Sequence, residues 1–243
     1  MATVLITGGT GLIGNALTDV LTSKGYSVIV LTRKLPVNTS ANINVQYALW
    51  DIEKSYIDEN AWKKADYIVH LAGANVFDQR WTENYKKTIL ESRTKTGKLI
   101  SEYVDRFPEK IRAVVSSSAI GWYGPDKDGM AFTEEAPADE NFLGQTCRLW
   151  EESLQPIVKT GKRLVIVRTG IVLSIKGGAY AEFRKPVAMN VSPIFGSGKQ
   201  IVSWIHINDL CNIFVNTIEN EIYEGVYNAV APHPVSNRNL VAS

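Results

Sequence analysis

Cysteine is scarce. Cys147 and Cys211 are the only two among 243 residues, and they form no CxxC. That excludes a disulfide framework and fits two reduced thiols in a cytoplasmic protein. Histidine is scarce too. His70, His206 and His233 are scattered, with no cysteine or carboxylate at ligand spacing, so no metal site is expected. A net charge is also missing. Lys and Arg number 26 against 25 Asp and Glu, a formal charge of +1. This leaves no electrostatic case for nucleic acid or an anionic membrane. No apolar run reaches 18 residues, and the run after Met1 stops at Gly8 without a basic leader. Neither a transmembrane helix nor a signal peptide is expected.

Apolar residues make up 45% of the chain, enough for a sizeable core. Strands are expected at Thr3–Thr7, Ser27–Thr32, 45–49, 67–71, 113–117, 164–168 and near 226–230. Several ("VIVL", "YIVHL", "LVIV") lack polar alternation, as strands covered on both faces do. Helical patterns fall between them at 12–24, 82–103, 147–160 and 207–220. The alternation predicts an α/β fold, a Rossmann-type doubly wound parallel sheet with helices on both faces. Two stretches, 121–142 and 176–204, read as loops after strands. Both are placed to wall a substrate cleft, or are ordinary surface loops. The expected organisation is one dinucleotide-binding domain over 1–243, with 176–205 and 231–243 contributing a small substrate lobe.

"TGGTGLIG" puts Gly8, Gly11 and Gly14 between a short strand and an amphipathic helix. One glycine permits the tight turn, one lets the backbone approach a pyrophosphate, and one lets helix and strand pack closely. The helix N-terminus then offers unpaired N–H groups to the phosphates. Thr10 could add a hydroxyl donor. The second strand ends "VLTRK". Thr32 stands where an NAD-binding acid usually stands, and Arg33 follows, able to fork onto a 2′-phosphate. NADP(H) is therefore expected over NAD(H); the alternative is a solvated basic pair. Asp51, past the third strand, is a candidate for the adenine amino group or for capping a turn. Ala72, Gly73 and Ala74 are small enough to let a ribose approach the fourth strand's end. His70 reads as a core histidine.

"TGGTGLIG", "HLAG" and "VSSSAIGWYG" at their spacings resemble the extended short-chain dehydrogenase/reductase superfamily. More narrowly, "RWTENYKKTILESRTKTGKLI", "WEE", "RTGIVLS" before "GG", and "GSGKQIVSWIHINDL" resemble its atypical epimerase-family branch (YfcH-type, labelled sugar-nucleotide epimerase). The resemblance covers nearly the whole chain. It implies cofactor contacts from Gly8, Thr10, Gly11, Leu12, Ile13 and Gly14, and Thr32 and Arg33 at the adenosine phosphate. It further implies Leu71 and Ala72 at the ribose, and Thr88 and Arg93 facing the cofactor. Without it, Arg93 in "ESRTKT" reads as a solvated helix residue. Members of this branch typically continue beyond "NAVAPHPVSN", so the substrate lobe is expected to be incomplete at Ser243.

The superfamily's chemistry uses a Tyr and a Lys four apart on one helix, with a Ser or Thr after the fifth strand. The lysine lowers the phenol's pKa so that it exchanges a proton while the nicotinamide exchanges hydride. Here the expected helix reads "FLGQTCRLWEESL". Aligned on Glu151, Leu143 takes the Tyr position and Cys147 the Lys position, and neither does the same work. Tyr123 and Lys127 have the spacing, but Gly124 and Pro125 between them predict a turn. Candidate catalytic groups are Ser118, then Ser117, with Tyr123 and His206; the serines alternatively cap a strand end. Lys199, Gln200 and Trp204 are candidate substrate contacts. Asn208 is expected to cap the helix after "SWIHI". The reading is an NADP-dependent oxidoreductase or epimerase acting on a small polar substrate, a nucleotide sugar being one candidate. The alternative is a catalytically silent NADP(H) sensor. The oligomeric state is not legible.

Overall fold

In the computed structural model, which describes residues 1–37, 42–126, 129–181, 194 and 196–242, the chain begins with strand β1 (Thr3–Thr7) and helix α1 (Leu12–Ser23). Then follow β2 (Ser27–Thr32), β3 (Val45–Asp51), β4 (Tyr56–Ile57), α2 (Glu59–Trp62), β5 (Tyr67–His70) and α3 (Glu83–Arg106). β6 (Ala113–Ala119) leads through a 3-10 turn (Ile120–Tyr123) to α4 (Phe142–Leu154), α5 (Pro156–Lys159) and β7 (Arg163–Thr169). The remaining elements are β8 (Ile171–Ser174), β9 (Gly177–Gly178), β10 (Ile201–Val202), β11 (Trp204–His206), α6 (Ile207–Glu219), β12 (Gly225–Ala229), β13 (Val235–Ser236) and α7 (Asn237–Ala242).

The main sheet has the order β12-β7-β6-β5-β1-β2-β3-β4. Every pairing from β12 to β3 is parallel, and only β4 runs antiparallel. Strand order reverses between β1 and β5, and ligands of such sheets bind beyond the carboxyl ends of the strands there. Alternate strand residues enter two cores. Leu5, Ile29, Ile68 and Val114 pack with Ile100, Trp150 and Leu154 on one face. Val4, Ile6, Val28 and Val115 pack with Leu17, Leu210 and Phe214 on the other. Burying each aliphatic chain contributes about 1.5–3 kcal/mol. A sheet apolar on both sides therefore requires helices on both sides.

The seven expected strands are all present; two keep their expected bounds, and the other five shift by up to two residues at an end. The helix expected from 147 begins five residues earlier and breaks in two. Asn141 caps it by accepting from the Gly144 N–H at 2.8 Å, and Pro156, which has no N–H, starts a new short helix. The 176–204 stretch is less irregular than expected where it is described. β8 pairs with β9 and β11, and β10 with β13. Much of the expected lobe, 182–193 and 195, lies outside the described residues, as does Ser243. Among the described residues no helix is long and apolar enough to cross a membrane.

Candidate functional site

The β1–α1 turn is built around absent side chains. Gly8 has φ +69°, and a Cβ there would lie 2.7 Å from the Leu71 carbonyl carbon. At Gly14 a Cβ would collide with the Gly8 carbonyl and the Gly9 backbone. Gly11 differs: a Cβ would meet only Gly8 O, at 3.3 Å, and otherwise face open space. Gly11 is also the N-cap of α1, with no side-chain cap and no acid in the first turn. The N–H groups of Leu12, Ile13 and Gly14 therefore lack intrahelical partners. An uncapped helix start beside a cleared backbone fits a diphosphate. Thr10 is exposed at the tip of the turn. The Leu12 side chain lies against Gly178, so the β8–β9 hairpin roofs the loop.

At the end of β2, the Thr32 hydroxyl donates to Lys34 O at 2.9 Å. Arg33 is exposed and forms no ion pair among the described residues. Asp51 accepts from the Lys54 N–H at 3.1 Å and pairs with its ammonium at 3.5 Å, which is the turn-capping geometry.

Beyond β5, the Thr7 hydroxyl oxygen accepts from the Leu71 and Ala72 N–H groups, each at 3.2 Å. Its proton therefore goes to His70 Nδ1, 2.7 Å away, and His70 Nε2 faces the Thr96 hydroxyl at 3.3 Å. His70 is fully buried, and burial and the Arg93 charge push it down to about 3. It is a neutral structural histidine. Gly73 is exposed at this edge, and a Cβ there would come within 3.0 Å of the Arg93 guanidinium on α3. Arg93 is half-buried rather than solvated, its guanidinium 5.2 Å over the Trp150 ring, and burial lowers its pKa. Thr88 is exposed one turn earlier on α3.

The serine strand leads elsewhere. Ser118 donates to Glu151 Oε1 at 2.6 Å. Arg168 grips the same carboxylate with two bonds of 2.9 and 3.0 Å. It also donates to the Tyr123 hydroxyl at 3.0 Å and stacks 3.6 Å over Trp122. Tyr123 in turn donates to Asn228 Oδ1 at 2.7 Å. Ser118, Glu151 and Arg168 are all buried, and the network ties β6, α4, β7 and β12 together. Sequence reasoning missed Glu151 and Arg168 as partners. The readable signal was an arginine closing the apolar run "LVIVR", which calls for a buried acid. Ser117 faces the other way, 3.4 Å from the Thr169 hydroxyl.

Leu143 and Cys147 lie on α4 against Gly121. The Cys147 thiol is buried, donates to Ala119 O at 3.6 Å, and is pushed up to about 11 by burial and by Glu151. Lys127 lies outside the described residues. Gly124 has φ +74°, so no helix continues beyond Tyr123.

His206, not Asn208, caps α6: its Nδ1 accepts from the Asn208 N–H at 3.3 Å. The cap lies two residues earlier than expected, because β11 runs through His206 and the helix starts at Ile207. Lys199 is exposed, and Gln200 O accepts from the Asn237 N–H at 3.0 Å. The Trp204 indole N–H is buried without a partner among the described residues. Asp126 accepts from the Ile201 N–H at 3.0 Å, which joins the two stretches read as cleft walls. Among the described residues no three His, Cys, Asp or Glu side chains gather as a metal site.

The model of the NAD dependent epimerase/dehydratase family matches residues 4–229. The epimerase family protein YfhF of Bacillus subtilis (strain 168) is 33% identical over 237 residues, covering 98% of this chain and 77% of that protein. Among solved structures, a nucleoside-diphosphate sugar epimerase from Corynebacterium glutamicum superposes with a TM-score of 0.85 at 35% identity. It is matched over 99% of this chain and 49% of its own, so this chain spans about half its length. The human epimerase family protein SDR39U1 (isoform 2), solved with NADPH, superposes with a TM-score of 0.84 at 30% identity, over 97% of this chain and 76% of its own.

Proposed function

The chain belongs to the NAD dependent epimerase/dehydratase family, and from that premise we propose an NADP(H)-dependent oxidoreductase or epimerase that acts on a small polar substrate of the nucleotide-sugar class without a Tyr/Lys pair. The open turn at Gly11, at the uncapped start of α1, carries this reading. Gly8, Gly11 and Gly14 shape the diphosphate seat, and the N–H groups of Leu12 and Ile13 face it, with Thr10 at its tip. Thr32 and Arg33 take the adenosine end. An exposed guanidinium with no ion pair among the described residues suits a 2′-phosphate, and a relative at 30% identity was solved with NADPH. Leu71, Ala72 and Gly73 border the ribose. When bound, the dinucleotide supplies hydride exchange.

The protein's own contribution is to orient and to handle a proton. Ser118 and Tyr123 already engage Glu151, Arg168 and Asn228, so they hold the wall of the cleft. His206 is exposed and uses only Nδ1 in its helix cap, which leaves Nε2 to exchange a proton with substrate. Lys199, Gln200 and Trp204 sit on the 196–206 stretch that Asp126 and Asn237 clamp, which suits a substrate lobe built from 176–205 and 231–243. A second reading, a silent NADP(H) sensor, is favoured by Leu143 and the protonated Cys147 thiol.

Calorimetry against NADPH and NADH tests the cofactor. Binding of NADPH is expected to be about tenfold tighter or more, and Arg33→Ala is expected to erase the difference. Equal affinities in the unsubstituted protein would refute the NADP preference. Mixing the NADPH complex with keto-sugar nucleotides while following nicotinamide absorbance separates the readings. Oxidation supports the enzyme; tight binding without oxidation supports the sensor.

A further inference from the structure

Arg93 is a cation that its protein neighbours do not account for. Its guanidinium is wedged between the Gly73 backbone, where a Cβ would come within 3.0 Å of Cζ, and the Trp150 ring. Its only hydrogen bond among the described residues goes to Ile89 O, at 2.9 Å. Among the described residues no carboxylate pairs with it; the titratable groups nearby are Cys147, Tyr85 and His70. A guanidinium drawn partly out of water without an anion is costly, so the fold has placed this charge for something that arrives later. Arg93 also lies close enough to Cys147 to pull the thiol down against the stronger upward push of burial. Cys147 is the residue that the resemblance set out above aligns with the lysine of the catalytic pair.

We propose that Arg93 supplies, from α3, the positive charge that α4 lacks at the nicotinamide end of the bound dinucleotide. The proposal rests on the NADP(H) reading above and goes beyond it. With no phenol at Leu143 to activate, the charge acts on the redox state instead. An oxidised nicotinamide ring is cationic and a reduced ring is neutral. A fixed guanidinium nearby therefore disfavours the oxidised form, whereas an arginine that only grips a phosphate binds both forms alike.

The test is the dissociation constant for NADP⁺ and for NADPH, measured by calorimetry at one ionic strength on the full chain, Arg93→Met and Arg93→Lys. The ratio of NADP⁺ to NADPH constants is expected to fall about tenfold in Arg93→Met and to stay within about twofold in Arg93→Lys. Arg93→Gln serves if the methionine variant does not fold. Equal weakening of both forms, with the ratio unchanged, overturns the proposal and leaves NADP(H) binding intact. No change in either constant does the same. Failure of the unsubstituted protein to bind either form overturns both the proposal and the reading beneath it.

Discussion

Two helices begin at the carboxyl edge of the sheet, and the sequence treats them oppositely. α1 starts at Gly11 with no side-chain cap, no acid and open space beside the backbone. α4 starts at Asn141, whose side chain satisfies Gly144, while Gly144 is pressed against the Asp139 carbonyl and Leu143 closes on Gly121. The first helix leaves its first-turn N–H groups without a side-chain acceptor, and the second has its Gly144 N–H satisfied by Asn141. A helix start becomes an anion site only where the sequence declines to cap it. The edge of the molecule around the start of α4 is a closed, packed wall.

The most damaging way to break this contrast is to unpin the closed side. Glu151→Ala leaves Arg168, 2% exposed, as a buried cation without its carboxylate and strips Ser118 of its acceptor. Removing one partner of a buried pair costs about 3–5 kcal/mol. Chemical denaturation should show a loss of that size. A loss below about 1 kcal/mol would mean that the network does not hold α4 in place.

Filling the open side comes next. Gly11 has φ −82° and ψ 178°, a backbone that any residue adopts, so Gly11→Val should fold. Its side chain would occupy the space beside the uncapped N–H groups, and NADPH affinity is expected to fall about a hundredfold, roughly 3 kcal/mol. Asn141→Ala is the matched control on α4. It should cost about 1 kcal/mol of stability and leave affinity unchanged. If the two variants behave alike, the two helix starts are not different in kind.

The open side is legible in the sequence because its cause is local. Three glycines at fixed spacing after a strand are a backbone requirement written in consecutive residues. The closed side is only half legible. Leu143 and Cys147 stand out against the pattern that the resemblance implies, but the hydrogen-bonded network beside them does not. Ser118, Glu151 and Arg168 come from β6, α4 and β7, and only the parallel pairing of β6 with β7 brings Ser118 opposite Arg168. Arg93 reads as solvent-facing because nothing in "ESRTKT" announces that Trp150, from another helix, lies beneath it. The start of α4 is hidden because Gly144 looks like a helix breaker, whereas it is required by the nearby Asp139 carbonyl.

His70 links the open side to the core and gives a smaller effect than Glu151→Ala or Gly11→Val. Its depressed value, about 3 against an ordinary 6.5, means that the unfolded chain takes up the proton first as pH falls. The stability it protects is complete above about pH 6.5 and is lost progressively toward pH 3. Between pH 7 and pH 5 the loss from this residue is about 2 kcal/mol. Denaturation at the two pH values should show that excess slope in the unsubstituted protein and not in His70→Gln; parallel slopes would refute it. A proton on Nδ1 would also evict the Thr7 hydroxyl hydrogen, and Thr7 holds the Leu71 and Ala72 N–H groups in place. Acid should therefore loosen the Leu71–Ala72 edge of the open side while the Glu151–Arg168 pair, which His70 does not touch, stays intact.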